Sequence, residues 1–266
     1  VSRVVSAMTD PNPLVSGQGL ALLQAAGIAT ASGLLENEAR ELNIGFVSRM
    51  SRGRPWLRLK TAASLDGKTA LNNGVSQWIT GPAARRDGHR WRARACAILT
   101  GIGTVRDDDP QLNVRDVETT RQPLRVVVDS KLETPLTARI LQGGPVLIVG
   151  ALENLEKMEM LRSTGAEVLI FPNAAGKVEL KDLLEELGRR GINEVHAEAG
   201  FKLNGSLLRE GLVDELLLYL APCLIGHTAS GLFNLPELTN LDGKHQLQIR
   251  DLRQVGEDIR LIARFR

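Results

Sequence analysis

Residues Val195 to Leu208 read VHAEAGFKLNGSLL. A β-rich run ends at Glu198, Gly200 opens a short loop that includes Gly205, and a helix carrying Leu207 and Leu208 follows. Strand, glycine-containing turn and helix make one βα unit of an open α/β sheet, and such sheets bind ligands at the carboxyl ends of their strands. The start of the helix offers free N–H groups to a phosphate. The plainer reading is an ordinary strand-to-helix turn. Glu198 would repel a phosphate there but could hold a hydroxyl or an amine.

The same alternation extends on both sides. LRLKTA from Leu57, CAILT, LRVVVDS, PVLIVG, AEVLIF and NEVHAEA each read as a strand. Between the later ones lie helical patterns: Leu152, Leu155, Met158, Leu161, then Leu180, Leu183, Leu184, Leu187 closed by Gly191. Thr80-Gly81-Pro82 is a helix start, because Thr caps and Pro is tolerated in the first turn. Near the C-terminus the period changes to two. Leu247 and Ile249, then Ile259, Leu261, Ala263 and Phe265, predict antiparallel strands added to an otherwise α/β sheet. The first 50 or so residues read as small α/β material. A strand lies around Val4-Val5, a turn at Thr9 to Pro13, and helices carry Leu20, Leu23, Ala26 and Leu35, Ala39, Leu42. Basic SRMSRGRP, Ser48 to Pro55, marks a boundary, giving segments 1–52 and 53–266.

Composition narrows the function classes. The 266 residues are 43% hydrophobic and 24% charged, which is ordinary for a folded globular chain. The longest apolar stretch, Leu216 to Gly226, contains Pro222 and falls short of the roughly 20 residues of a membrane span. A net charge of +2 and few aromatic residues argue against a nucleic-acid partner. Cys96 and Cys223 cannot form a disulfide framework, so a reducing cytoplasm is the simplest home. No secretory signal is visible. The chain begins at Val1 and not at a methionine, which reads as part of something longer.

Four stretches carry possible chemistry. His196-Ala197-Glu198 with Pro222-Cys223 imitates a zinc deaminase signature, but Gly226 stands where its second cysteine belongs, so no metal site is expected and His196 reads as a satisfied polar residue. On the helix after Pro82, Ala84, Gly88, Trp91 and Ala95 form the apolar stripe. Arg86, Arg90 and Arg94 point away from it, and Arg85, His89 and Arg92 lie on its flank; only Arg92 is expected to reach a pocket and fork onto a phosphate. GIGTVRDDDPQLNVR, Gly101 to Arg115, lacks the third glycine of a dinucleotide fingerprint; its three aspartates read as a turn, and Arg115 either binds an anion or faces water. Ser76 and Trp78 share a face of an extended segment, where a hydroxyl beside an indole can wall a flat ring, or the indole simply packs in the core.

Taken in order and spacing, LKTAASLDGKTA, GVSQWITGP, ILTGIGTVRDDDPQLNVR, VVVDS and EAG…GSLL..GLVDELLLYLAPCLIG closely resemble the reductase part of the bifunctional deaminase/reductases of riboflavin biosynthesis, the RibD family. The resemblance covers about 53–266, and 1–52 look like the C-terminal remnant of the family's deaminase domain. It implies a dihydrofolate-reductase-like mixed sheet with helices on both faces, preceded by a partial cytidine-deaminase-like α/β segment. It also implies a cytoplasmic homodimer reducing 5-amino-6-(5-phosphoribosylamino)uracil with NADPH, the ribose opening to a ribityl chain. By similarity Ser76, Arg92, Leu112, Arg115 and Glu198 contact substrate, while Ala62, Trp78, Thr104, Asp108, Ser130 and the turn Gly200, Phe201, Lys202, Leu203, Asn204, Gly205, Ser206 contact NADP. The family's zinc ligands lie upstream of the part matched by Val1, so the chain as given is not expected to hold zinc or deaminate.

From the residues alone the proton donor stays open among Lys60, Glu198 and bound water. Ser130 and Lys131 suit a ribose phosphate, whereas Asp129 suits a bare ribose hydroxyl. The competing functions are a reductase of another ribosylated or pterin-like heterocycle, a non-catalytic nucleotide-binding module, and RNA binding through Arg85 to Arg94, which would depend steeply on salt.

Overall fold

The computed structural model describes residues 1–76 and 78–266. It divides into two compact units, Val1–Trp56 with Leu184–Asn193, and Leu57–Leu183 with Glu194–Arg266. In the first, β1 (Arg3–Ser6) pairs in parallel with β2 (Ala29–Ser32) across α1 (Gln18–Ala25), and α2 (Glu36–Leu42) and α3 (Ile44–Arg52) follow. The stripe read on Leu35 and Leu42 is exposed, with Leu35 in a left-handed backbone ahead of α2.

The remaining chain supplies β3 (Trp56–Ser64), β4 (Lys68–Ala70), α4 (Pro82–Arg94), β5 (Ala97–Gly101), α5 (Ile102–Asp108), β6 (Leu124–Val128), β7 (Val146–Gly150), α6 (Leu155–Ser163), β8 (Glu167–Ile170), α7 (Leu180–Arg189), β9 (Glu194–Ala197), α8 (Phe201–Arg209), β10 (Glu215–Ala221), β11 (Ser230–Gly231), β12 (Leu247–Val255) and β13 (Asp258–Phe265). Nine strands form one sheet in the order β12-β13-β10-β3-β9-β5-β6-β7-β8. The stretch from β9 to β8 is parallel, β10 runs parallel to β3, and β13 and β12 close the other edge antiparallel. The change of period at the C-terminus is therefore the change from parallel to antiparallel strands.

Apolar packing holds the sheet. Ile98, Val127 and Ile148 pack with Val105, Ile140 and Leu161, and Leu217, Tyr219 and Ile262 pack with Ala84 of α4. Where β3, β9 and β10 need a polar fastening, Arg58 is buried between Glu215 (2.6 Å) and Glu194 (3.1 Å). Strands β5 and β9 are neighbours, and each runs into a glycine and then a helix: Gly101 into α5, Gly200 into α8. That adjacency sets the position of the site. No helix among the described residues is long and apolar enough to cross a membrane.

Candidate active site

A cleft of about 1550 Å³ opens at the carboxyl ends of the strands. Its walls include Ala62 on β3, Ser76 and Trp78 on the loop before α4, Arg92 on α4, Thr104 and Asp108 on α5, Leu112 and Arg115 beyond it, Ser130 after β6, and Glu198 after β9. Gly200, Phe201, Lys202, Leu203, Asn204 and Ser206 line it too. Gly205 does not: a Cβ there would run into the Asn234 backbone, so this glycine allows close packing of α8 on that loop.

Two helix starts meet in the cleft. Neither α5 nor α8 has a side-chain cap or an acidic residue in its first turn. Their leading N–H groups therefore have no acceptor within the helix, and both dipoles favour an anion. Gly101 lets α8 come close, since a Cβ there would lie 3.1 Å from Leu203 Cδ2. These features suit the diphosphate of a dinucleotide laid against α8.

Farther along the wall, Glu198 sits in a cage of positive charge. Arg92 Nε and Nη2 donate to its two oxygens at 2.5 and 2.9 Å, and Lys60 Nζ lies 3.7 Å away. His196, fully buried on the same face of β9, brings Nε2 within 3.3 Å of Glu198 Oε1, yet neither ring nitrogen has a hydrogen-bond partner among the described residues, so it is not the satisfied polar residue that its sequence setting suggests. Burial alone would push the Glu198 carboxyl up, but the charges of Arg92 and Lys60, the Arg92 hydrogen bonds and the neighbouring His196 hold it well below the usual glutamate range. The same surroundings keep His196 neutral, because burial outweighs the pull of Glu198.

Arg92 was expected to fork onto a phosphate. Its fork is spent on Glu198, and its Nη1 donates to the Asn113 carbonyl at 3.2 Å. Arg115 is the freer guanidinium: among the described residues its one side-chain bond is from Nη1 to Asn113 Oδ1 at 2.8 Å. His89, read as a solvated flank residue, is instead buried against the cleft wall. Ser76 donates to Asp108 Oδ1 at 3.4 Å, and burial pushes the Asp108 carboxyl up against that bond. Trp78 is 70% exposed with the Arg85 guanidinium 4.6 Å above its ring, so it is a rim residue and not core. Sequence reasoning also passed over Lys177, at the Ser130 end of the cleft, whose only signal was an exposed turn.

The sequence bears out this architecture. Residues 55–261 match the family model of the RibD C-terminal domain. The chain belongs to the RibD family. The riboflavin biosynthesis protein RibD of Escherichia coli is 44% identical over 97% of this chain and 73% of its own length. Among solved structures, Acinetobacter baumannii RibD superposes with a TM-score of 0.90 at 41% identity, over 100% of this chain and 73% of that one. The diaminohydroxyphosphoribosylaminopyrimidine deaminase/5-amino-6-(5-phosphoribosylamino)uracil reductase of Thermotoga maritima gives 0.83 at 26%, over 100% and 72%. With RibD as its family, the nine-stranded sheet is the dihydrofolate-reductase-like sheet of the RibD reductase domain.

Proposed function

We propose that this chain reduces 5-amino-6-(5-phosphoribosylamino)uracil to its ribityl product with NADPH. The observation that carries the reading is one cleft with an available guanidinium, Arg115, on its wall and the uncapped start of α8 elsewhere along it. Arg115 gives charge-assisted hydrogen bonds to the substrate's phosphomonoester. Glu198, kept ionised, accepts hydrogen bonds from the N–H or O–H groups of the pyrimidine or sugar, and Arg92 keeps it in place. Ser76 and Leu112 complete the substrate wall. Ala62, Trp78, Thr104, Asp108, Ser130, Gly200 to Asn204 and Ser206 flank the cofactor. Bound in the cleft, NADPH would supply the hydride for the anomeric carbon of the ring-opened ribosylimine, with the proton that completes the amine drawn from water. Consumption of NADPH, followed optically with the phosphorylated substrate, tests this. Turnover is expected; tight NADPH binding without turnover would favour a non-catalytic nucleotide module.

The preference for a phosphorylated cofactor has its own support. Asp129, the residue type that accepts a bare ribose hydroxyl, is fully buried; its Oδ2 takes the Thr134 N–H and hydroxyl, both at 2.7 Å, and its Oδ1, without a hydrogen-bond partner among the described residues, is not exposed to the cleft. Lys131 and Lys177 line the same end without an ion-pair partner among the described residues. The Val178 N–H bonded to Ser130 Oγ at 3.3 Å ties together the loops that carry them. Replacing both lysines with alanine is expected to raise the KM for NADPH about tenfold at low salt and leave that for NADH unchanged. Equal effects on the two cofactors would contradict the assignment.

We read residues 1–52 as the tail of a deaminase-like unit, supported by the parallel β1–β2 pair with its flanking helices. Self-association as a homodimer is in keeping with the edge strand β12, which leaves Ile249 and Leu252 exposed. A cytoplasmic setting suits the two free cysteines.

A further inference from the structure

The segment 110–123, between α5 and β6, carries Leu112 and Arg115. Among the described residues it makes no backbone-to-backbone hydrogen bond. Side chains hold it instead. Gln122 closes it on itself, accepting the Val114 N–H at 2.7 Å and donating to the Val114 carbonyl at 3.0 Å. Arg92 donates to the Asn113 carbonyl, and the Arg115 N–H donates to His89 Nδ1 at 3.3 Å. Leu112 (φ 46°) and Asp116 (φ 62°) are left-handed without being glycine, a conformation that persists only where the surroundings enforce it.

His89 is thus the grip next to the anion-binding side chain. It projects from α4, is buried, and stands between Arg92 and Arg115 on the cleft wall. Its Nδ1 accepts, so the ring proton of the neutral form sits on Nε2, which faces Asp116 Oδ2 at 3.6 Å. Burial first, then the charges of Arg92 and Arg115, push the imidazole down to about 4, against the pull of Asp116 and Glu198. The ring is therefore neutral at pH 7, and the acceptor is available.

We propose that His89 is a positioning residue for the phosphate site: its Nδ1 fixes the Arg115 backbone and so aims the Arg115 guanidinium into the cleft at the substrate's phosphomonoester. The proposal rests on the assignment of Arg115 to that phosphate. It predicts an effect on substrate binding without an effect on the cofactor.

Two substitutions test it. His89→Leu keeps bulk and removes the acceptor; His89→Asn places Oδ1 where Nδ1 was. His89→Leu is expected to raise the KM for the phosphorylated substrate about tenfold, the scale of one lost neutral hydrogen bond. Its kcat and KM for NADPH should stay within about twofold, which also reports that the variant is folded. His89→Asn should recover most of the loss. Added to Arg115→Ala, His89→Leu should cost nothing further, because no guanidinium remains to aim. Equal damage to substrate and cofactor parameters, failure of the Asn variant to rescue, or additive losses in the double variant would overturn the proposal. A normal loss in Arg115→Ala with a flat His89→Leu would overturn it alone. An unchanged KM in Arg115→Ala would overturn the phosphate assignment and this proposal together.

Discussion

Arg115→Ala is expected to raise the KM for the phosphorylated substrate by about 10- to 100-fold while leaving the KM for NADPH nearly unchanged. The range follows from charged hydrogen bonds contributing about 1.5–3 kcal/mol each. Arg115 can supply them because, among the described residues, only one of its guanidinium donors is engaged, on Asn113 Oδ1. Arg92 is a different case despite carrying the same guanidinium. Removing it would strip Glu198 of its main counter-charge and the Asn113 carbonyl of a donor, so its loss should mix stability with binding. Steady-state kinetics with each ligand varied separates the two. Equal losses on substrate and cofactor in Arg115→Ala would remove the phosphate role.

Glu198→Ala should be the most damaging single change in the cleft. It leaves Arg92 inside the protein without its counter-charge, with only the Asn113 carbonyl still accepting from it among the described residues, and breaking a buried ion pair on one side costs about 3–5 kcal/mol. Lys60 and His196 would face the same vacancy, so their positions should loosen too. Denaturant unfolding should show the loss, and turnover should disappear at any substrate concentration. Glu198→Gln keeps the volume and one acceptor, and should lie between wild type and Glu198→Ala. The pH dependence has a definite sign. Folding holds Glu198 ionised, so its contribution is complete above the ordinary glutamate value of 4.5 and fades as the pH falls below that toward the folded value. Glu198→Gln should therefore flatten the acid limb of the stability curve. A Glu198→Ala variant within about 1 kcal/mol of wild type would contradict this account of the cage.

Much of the frame could be read from local pattern. The runs CAILT and NEVHAEA became β5 and β9, and the period-two C-terminus became the β12–β13 hairpin. Gly200 and the helix after it were legible because a strand, a glycine and an amphipathic helix leave a local mark. Strand order was not. The placement of β3 beside β10 depends on partners such as Arg58 and Glu215, 157 residues apart, and no local period encodes that pairing.

The site follows the same division. Ala84, Gly88, Trp91 and Ala95 announced the inner face of α4 correctly, with Ala84, Gly88 and Ala95 buried. The flank could not be resolved, because what covers it comes from elsewhere in the chain. His89 is buried by the segment that carries Arg115 and Asp116, and Arg92 is claimed by a carboxylate 106 residues away. Gly205 looked like part of the anion-binding turn because glycine in a βα loop has two uses, close approach to a ligand and close approach to protein, and sequence does not tell them apart. Here it serves the second, against Asn234.

The most direct test is a crystal structure of the chain with NADP⁺ and the phosphoribosylaminouracil bound together. The substrate phosphate should lie on the Arg115 guanidinium, the cofactor diphosphate on the N–H groups that open α8, and the nicotinamide between them beside Glu198. A phosphate bound away from Arg115, or both ligands competing for the start of α8, would contradict this placement.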